Sequence, residues 1–487
     1  MGAFCSRQIT HTSQRILAEG IGTFLLCFAI ILSSETLNAG NAPTYYAAGY
    51  ALTALVYGFD HIGSFFNPAV TLGAYLQGNI SVLMGLSLAL SQTVGGVLGG
   101  VIGNLFRETP IPSYNPTDYG KAFAVEVIYT GGLVLVMQAV GMYKNAQEPN
   151  SYFGFALGSI VTAGVASVSV ISGGAFNPAV GMAIDFATLS TDKTTFNDIW
   201  LYWLAPCTGA IVASIFSRAM HAFEHDKWAV PGWFCRCRSR CCGYEEEEEE
   251  GGGDGAEMSD GRMPFIVPCG EFVGTFFVVL TSSLQSSDLV GPTKAISVGM
   301  ALSAMVYSLD HVCGADFNPA VTVGVALRMG RLFKDSAQIL TVIAAQFGGA
   351  FSAAVVAFLL QGKAEFPAPN GNTGAPGAVF FEAIWTAFLT YTVCAVMTDI
   401  TDKSQPTSRG RYGHSRSHHG LAIGFCVTAG ILCSVKSGAG SGGCFNPALC
   451  VHSRVSPPLP LPYVHSPTHP FIPYVPTYNF FLGVSQH

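Results

Sequence analysis

Long apolar runs separated by short polar breaks fill most of this chain. Length and hydropathy predict spanning helices over 15–34, 45–60, 81–103, 121–142, 152–171 and 199–219. A second set follows over 265–285, 295–309, 336–360, 378–398 and 419–437. Between the spans lie four short apolar stretches that are nearly the same stretch. They read FFNPAVTLG around Asn67, GAFNPAVGM around Asn177, ADFNPAVTV around Asn318 and GCFNPALCV around Asn446. Asn is a preferred helix N-cap and Pro is preorganised for the first helical position, so each stretch predicts a helix start. About nine or ten residues follow before the pattern breaks, enough to cross roughly half a bilayer core. The predicted half-helices are 67–76, 177–187 and the segments beginning at Asn318 and Asn446. A helix start at mid-membrane depth exposes unsatisfied N–H groups, tolerated only when buried in protein or lining a watery cavity. Four of them predict two pores.

The two sets of spans are a repeat. AEGIGTFLL around Glu19 matches GEFVGTFFVVL around Glu271, and YALTALVYGFDHIG matches MALSAMVYSLDHVCG, with His61 and His311 at corresponding places. Glu126 in VEVIYTGGL matches Glu382 in FEAIWTAFL. Within each set a weaker repeat separates Glu19 from Glu126 by 107 residues and Asn67 from Asn177 by 110. Three spans plus a half-helix, repeated once, must invert in the membrane because three is odd. The expected fold class is therefore an all-α polytopic membrane protein of two tandem units, each an inverted repeat of three spans plus a half-helix. The expected divisions are a first unit at 1–220, a linker at 221–263, a second unit at 264–450 and a tail at 451–487.

Composition agrees: 50% of the residues are hydrophobic and 11% are charged, against about 25% charged in soluble proteins. The formal net charge of −7 is a poor guide to partners, because one run, Glu245 to Glu250, supplies much of the acid. No basic stripe points to nucleic acid. The fourteen cysteines sit in apolar segments or cluster near 235–242, which is not a disulfide framework. The linker, with CRCRSRCC, six glutamates and GGGDG, is expected to be solvated, its cysteines open to S-acylation. The opening MGAFCS fits a myristoylation pattern, one that short sequences match by chance, and the first apolar segment is too long for a signal peptide. With the N-terminus inside, sixteen Lys and Arg fall inside and six outside, leaving Arg454 in the tail. That bias places the N-terminus and linker in the cytoplasm.

The end breaks the repeat. A span like 199–219 should follow Asn446, but prolines crowd the stretch from Pro457 to Pro476, a density that forbids a spanning helix. The second unit is thus expected to lack its last span. Either a partner supplies it, the unit is defective, or the end reflects a mis-spliced or mispredicted exon; the last fits best.

These residues resemble the major intrinsic proteins, the aquaporins and glycerol facilitators, duplicated in tandem. The likeness rests on the paired Asn-Pro-Ala stretches, the glutamates of the first and fourth spans, Gln92 and Gln346 in the third, and YWLAPCTGA in the sixth. It covers roughly 14–220 and 265–450. The resemblance implies six tilted helices and two half-helices per unit, one pore each, and usually four units together. Two chains would then form a homodimeric pseudo-tetramer in the lipid bilayer.

The resemblance also assigns site residues. Asn67-Pro68-Ala69 pairs with Asn177-Pro178-Ala179, and Asn318-Pro319-Ala320 with Asn446-Pro447-Ala448. The asparagines would donate N–H bonds to a permeating oxygen while the half-helix dipoles repel cations; the plainer reading is that they only cap. Water-conducting members usually carry arginine directly after the second motif, facing a histidine and an aromatic. This chain has Val180 and Leu449 there. The other wall positions align with Ala48, Val165 and Gly174, then Val298, Ile431 and Gly443. No charge and no strong donor is expected at either constriction, so the filter should be wide and apolar. That predicts passage of water with small neutral solutes such as urea, glycerol, ammonia or hydrogen peroxide. The aspartate of dedicated glycerol channels is missing, since Asp185 lies eight residues past Asn177.

Glu19, Glu126, Glu271 and Glu382 invite a proton-relay reading. Their recurrence once per half-helix favours a structural role, each carboxylate accepting from loop N–H groups, and His61 and His311 are expected to brace the same loops. A coupled transporter also uses broken helices but would need midplane charges beyond these four. A degenerate member with a closed second pore is the other alternative. No nucleophile, base and stabiliser occur together, so no enzyme is expected, nor any cofactor or metal.

Overall fold

The computed structural model describes residues 2–34, 42–108, 111, 114, 116–141, 152–189, 195–224, 266–285, 292–362, 374–397, 418–436 and 443–451. The first unit comprises α1 (Gly2–Ser33), α2 (Ala42–Phe59), α3 (Pro68–Leu76), α4 (Val82–Leu105), α5 (Tyr119–Gly141), α6 (Phe153–Ser172), α7 (Pro178–Thr188) and α8 (Ile199–Glu224), with a 3-10 turn at Thr195–Asp198. The second comprises α9 (Ile266–Leu284), α10 (Pro292–Cys313), α11 (Pro319–Arg328), α12 (Ser336–Gln361), α13 (Gly374–Met397), α14 (His419–Lys436) and α15 (Pro447–Val451). Every predicted span and half-helix has its counterpart. The main differences are at ends: α1 begins at Gly2 instead of 15, and α8 continues through Glu224 into the expected linker. The rest of the linker, its cysteine cluster, the loop 401–417 and the tail beyond 451 lie outside the described residues.

Nine of the described helices are long and apolar enough to cross a membrane. Their outer faces are apolar too, as on α4, where Leu83, Leu86, Leu90, Val94 and Leu98 are exposed. Such faces suit a hydrocarbon solvent, in which only satisfied backbone is stable.

The two units share a buried seam. The helices α5 and α6 of the first pack against α9 and α10 of the second. Across it the Tyr129 and Thr281 hydroxyls bond at 3.1 Å, Ser159 Oγ donates to Met300 Sδ at 3.2 Å, and the rings of Tyr152 and Tyr307 stack at 4.1 Å. This seam explains an asymmetry in burial: 83% of the apolar window of α10 is buried but only 17% of that of α13. The corresponding faces on α1 and α2, and on α13 and α14, stay open. Exposed Leu17, Leu25 and Tyr50 mark one; Phe380, Tyr391 and Phe425 mark the other.

Candidate functional site

The four Asn-Pro stretches start helices as their local chemistry requires. Asn67 is extended at φ −155°, and its Oδ1 accepts from the N–H groups of Ala69 at 2.8 Å and Val70 at 3.4 Å. Asn177, Asn318 and Asn446 each accept likewise from Ala179, Ala320 and Ala448, at 2.9, 3.0 and 3.0 Å. Pro68, Pro178, Pro319 and Pro447 open the helices, where a missing N–H costs nothing.

The side-chain nitrogens then tie each pair of half-helices together. Asn67 Nδ2 donates to the Phe176 carbonyl and Asn177 Nδ2 to that of Phe66, both at 2.9 Å. In the second unit Asn318 donates to the Phe445 carbonyl at 2.8 Å and Asn446 to the Phe317 carbonyl at 2.9 Å. An amide nitrogen carries two hydrogens, so one is committed to this cross-link and one remains for the cavity.

The carbonyl donated to in each case belongs to a phenylalanine in left-handed backbone, at φ 49° for Phe66, 50° for Phe176, 49° for Phe317 and 51° for Phe445. For a bulky residue this costs about 1–3 kcal/mol and persists only where the surroundings dictate it. Two things dictate it. A glutamate on a neighbouring helix accepts from the backbone: Glu19 from Phe65 and Phe66 at 2.9 and 2.6 Å, Glu126 from Ala175 and Phe176 at 3.0 and 2.7 Å. Glu271 accepts from Asp316 and Phe317 at 3.0 and 2.7 Å, and Glu382 from Cys444 and Phe445 at 2.9 and 2.6 Å. A glycine on a packed helix leaves the notch for each ring: a Cβ at Gly22, Gly164, Gly274 or Gly430 would overlap Phe66, Phe176, Phe317 or Phe445 respectively. Glu19 and Glu271 take a further bond from Gln92 at 2.8 Å and from Gln346 at 2.9 Å. The glutamines also reach Thr71 and Thr322, at 2.9 and 2.8 Å. His61 and His311, expected beside the same loops, are exposed; the carboxylates hold the loops because two oxygens can capture two successive N–H groups.

Each unit encloses a cavity passing its asparagine pair. The first, about 60 Å³, is lined by Ala48, Val165, Gly174 and Val180 together with Asn67 and Asn177. Apart from the asparagines, its polar side chains are Thr44, Ser64 and Tyr114. The second, about 40 Å³, is lined by Val298, Ile431, Gly443 and Leu449 with Asn318 and Asn446. The eight wall positions aligned from the sequence are therefore divided between the two cavities, four to each.

Three features were not anticipated. Tyr114, between α4 and α5, enters the first cavity in space left by Gly173, where φ is 90° and a Cβ would overlap the ring. Its ring lies 5.1 Å from that of Tyr202, whose hydroxyl donates to the Ser172 carbonyl at 2.6 Å. A phenol therefore stands where no strong donor was expected, and nothing in the local sequence marks that loop residue as pore-facing. In the second cavity Asp316 is a lining residue. Cys444, also lining it, is disulfide-bonded to Cys450 six residues on; the scatter of cysteines along the chain did not mark such a pairing.

A family model described as "Major intrinsic protein" matches this chain twice, over residues 6–216 and 266–456. Aquaporin C of Dictyostelium discoideum is 28% identical over 232 residues, covering 42% of this chain and 79% of that protein. Probable aquaporin NIP7-1 of Arabidopsis thaliana is 30% identical over 216 residues, covering 42% of the chain and 76% of its own length. Among solved structures, the aquaglyceroporin from Plasmodium falciparum is 22% identical, with a TM-score of 0.37 over 42% of this chain and 95% of its own. The chain belongs to the major intrinsic protein family, as two tandem copies in one multi-pass membrane protein.

Proposed function

We propose that this protein is a passive channel for water and small neutral solutes, with Asn67 and Asn177 at the centre of the first passage. One observation carries the reading: a cavity is lined by both asparagines and otherwise mostly by apolar residues, with Thr44, Ser64 and Tyr114 as the polar exceptions. Each asparagine keeps one N–H for a passing oxygen. The starts of α3 and α7 bring their positive dipole ends to the same level, which opposes cations and breaks a proton wire. Ala48, Val165, Gly174 and Val180 form the constriction of the first unit, and Val298, Ile431, Gly443 and Leu449 that of the second. Without arginine there, selection falls to size and to whatever Tyr114 adds at the outer mouth. Urea, glycerol, ammonia and hydrogen peroxide are the solutes that fit this wall. The four glutamates serve the loops, and no catalytic role is assigned to any residue.

The bias in basic residues supports a cytoplasmic N-terminus and linker. The open faces of α1/α2 and α13/α14 are the same helix positions that meet in the internal seam. Two chains related by a two-fold axis would bury both faces with two more such seams, closing a ring of four units.

Stopped-flow light scattering on proteoliposomes tests the channel. Water and urea flux above empty liposomes is expected; its absence refutes the reading. Val180→Arg places a long cation in the constriction of the first passage and is expected to lower urea flux more than water flux. Equal flux of urea before and after the substitution removes Val180 from the wall.

A further inference from the structure

Each half-helix start is anchored by the residue four past its asparagine, and the last of the four is anchored differently. Thr71 and Thr322 accept from Gln92 Nε2 at 2.9 Å and from Gln346 Nε2 at 2.8 Å. Gly181 lies against α8, where an added Cβ would come within 2.6 Å of the Tyr202 Cβ. The fourth such position is Cys450, and among the described residues no helix follows α15 as α8 follows α7. Cys450 is exposed and is bonded to Cys444, two residues before Asn446. The bridge thus closes over the left-handed Phe445 and the capping Asn446. Cys444 also lines the second cavity, with Asn446 and Leu449. The carboxylate that holds this loop is the least shielded of the four: Glu19, Glu126 and Glu271 are fully buried, Glu382 only in part.

Hydrogen bonds shielded from water hold a strained turn better than bonds that water can replace. The covalent bridge therefore does for the start of α15 what packing on α8 does for α7. It keeps the Phe445 carbonyl and the Asn446 amide in place for Asn318 and Phe317, across bonds of 2.8 and 2.9 Å. Unlike packing, a disulfide can be undone by chemistry. A thiolate attacks the exposed Cys450 sulfur, the S–S bond breaks, and Cys444 leaves as a thiolate that takes up a proton. The second thiol of a dithiol reductant then displaces Cys450 as its thiol. Two electrons and two protons pass to the protein, and the reductant ends as a cyclic disulfide. The first passage has Ala175 and Gly181 at the same two positions, so it has no such bond to lose.

We propose that Cys444 and Cys450 form a reversible dithiol–disulfide site that controls the second passage alone. Oxidised, the pair holds Asn446 against the Asn318 half-helix; reduced by a small dithiol, it releases the turn and the passage is lost. The inference rests on the channel reading above. Its test is water flux in proteoliposomes holding the full chain with Val180→Trp, which fills the first passage. Flux is read before dithiothreitol, after it, and after reoxidation with copper phenanthroline, while thiol alkylation followed by mass spectrometry reports the state of the pair. Expected are flux above empty liposomes, its loss once both cysteines can be alkylated, and its return on reoxidation. Adding Cys444→Ser and Cys450→Ser is expected to remove that flux from the outset. If Val180→Trp does not yield folded protein, the same series is run in the otherwise unaltered chain, where a partial loss replaces the full one. Flux that survives reduction of the pair overturns the proposal, as does a serine pair that conducts like its parent or still loses flux to the reductant. So do a pair open to alkylation before any reductant, a pair that the reductant does not open, and a folded Val180→Trp protein that conducts no water. Absence of water flux from the unaltered, oxidised protein instead refutes the channel reading itself.

Discussion

Replacing Glu126 by Gln tests whether the buried carboxylates hold the loops or carry protons. The Glu126 side chain is fully buried and accepts three bonds: from Ser172 Oγ at 2.7 Å, Ala175 N–H at 3.0 Å and Phe176 N–H at 2.7 Å. Both carboxylate oxygens are used. Glutamine has the same shape but one oxygen, so whichever way its amide turns, an NH2 meets a backbone N–H. One buried donor is then left unpaired, at about 1–3 kcal/mol. The bonds that survive lose their charge assistance, for roughly another 1–2 kcal/mol in total. The combined cost of about 2–5 kcal/mol matches or exceeds the strain of about 1–3 kcal/mol stored at Phe176, so the loop no longer keeps its left-handed turn. It is also a large share of the ~5–15 kcal/mol that usually separates folded from unfolded protein. Expected are a lower thermal transition of the detergent-solubilised protein, followed by tryptophan fluorescence, and lower water flux in proteoliposomes. A proton relay gives the opposite pattern, with an unchanged transition and flux altered only in its dependence on pH. A Glu126→Gln protein that melts and conducts as the parent does refutes the structural reading.

Two further expectations follow from packing. Gly274→Ala puts a methyl group into the ring of buried Phe317, whereas Gly85→Ala meets only Ile80 Cδ1 at 3.6 Å and the Tyr75 Cβ at 4.0 Å. The first should cost about 1–3 kcal/mol as overpacking and the second almost nothing. Fluorescence-detected size exclusion reads the difference, and equal yields of monodisperse protein would contradict the notch. For the assembly, a protein mass of twice 51.3 kDa is expected by light scattering in mild detergent. A monomer at all concentrations would remove the two-chain ring.

The four half-helices were legible because their signals are local. Asn accepts from N–H groups two or three residues on, and Pro fits the first turn, whatever surrounds them. The role of Glu19, Glu126, Glu271 and Glu382 was legible only as a recurrence, one carboxylate for each half-helix. Which N–H groups they hold depends on α1, α5, α9 and α13 lying beside loops tens of residues away.

Sequence alone determined that this chain is a tandem membrane protein with paired helix starts, since hydropathy, capping and repetition are properties of neighbouring residues. The tertiary structure decided what faces each passage. Tyr114 enters the first from a loop that carries no periodic signal, because Gly173 leaves room for a ring. Asp316 lines the second because Glu271 holds its backbone at the edge of that cavity. The seam between α5/α6 and α9/α10 was likewise invisible in one dimension, for apolar faces that meet protein and those that meet lipid are written in the same residues.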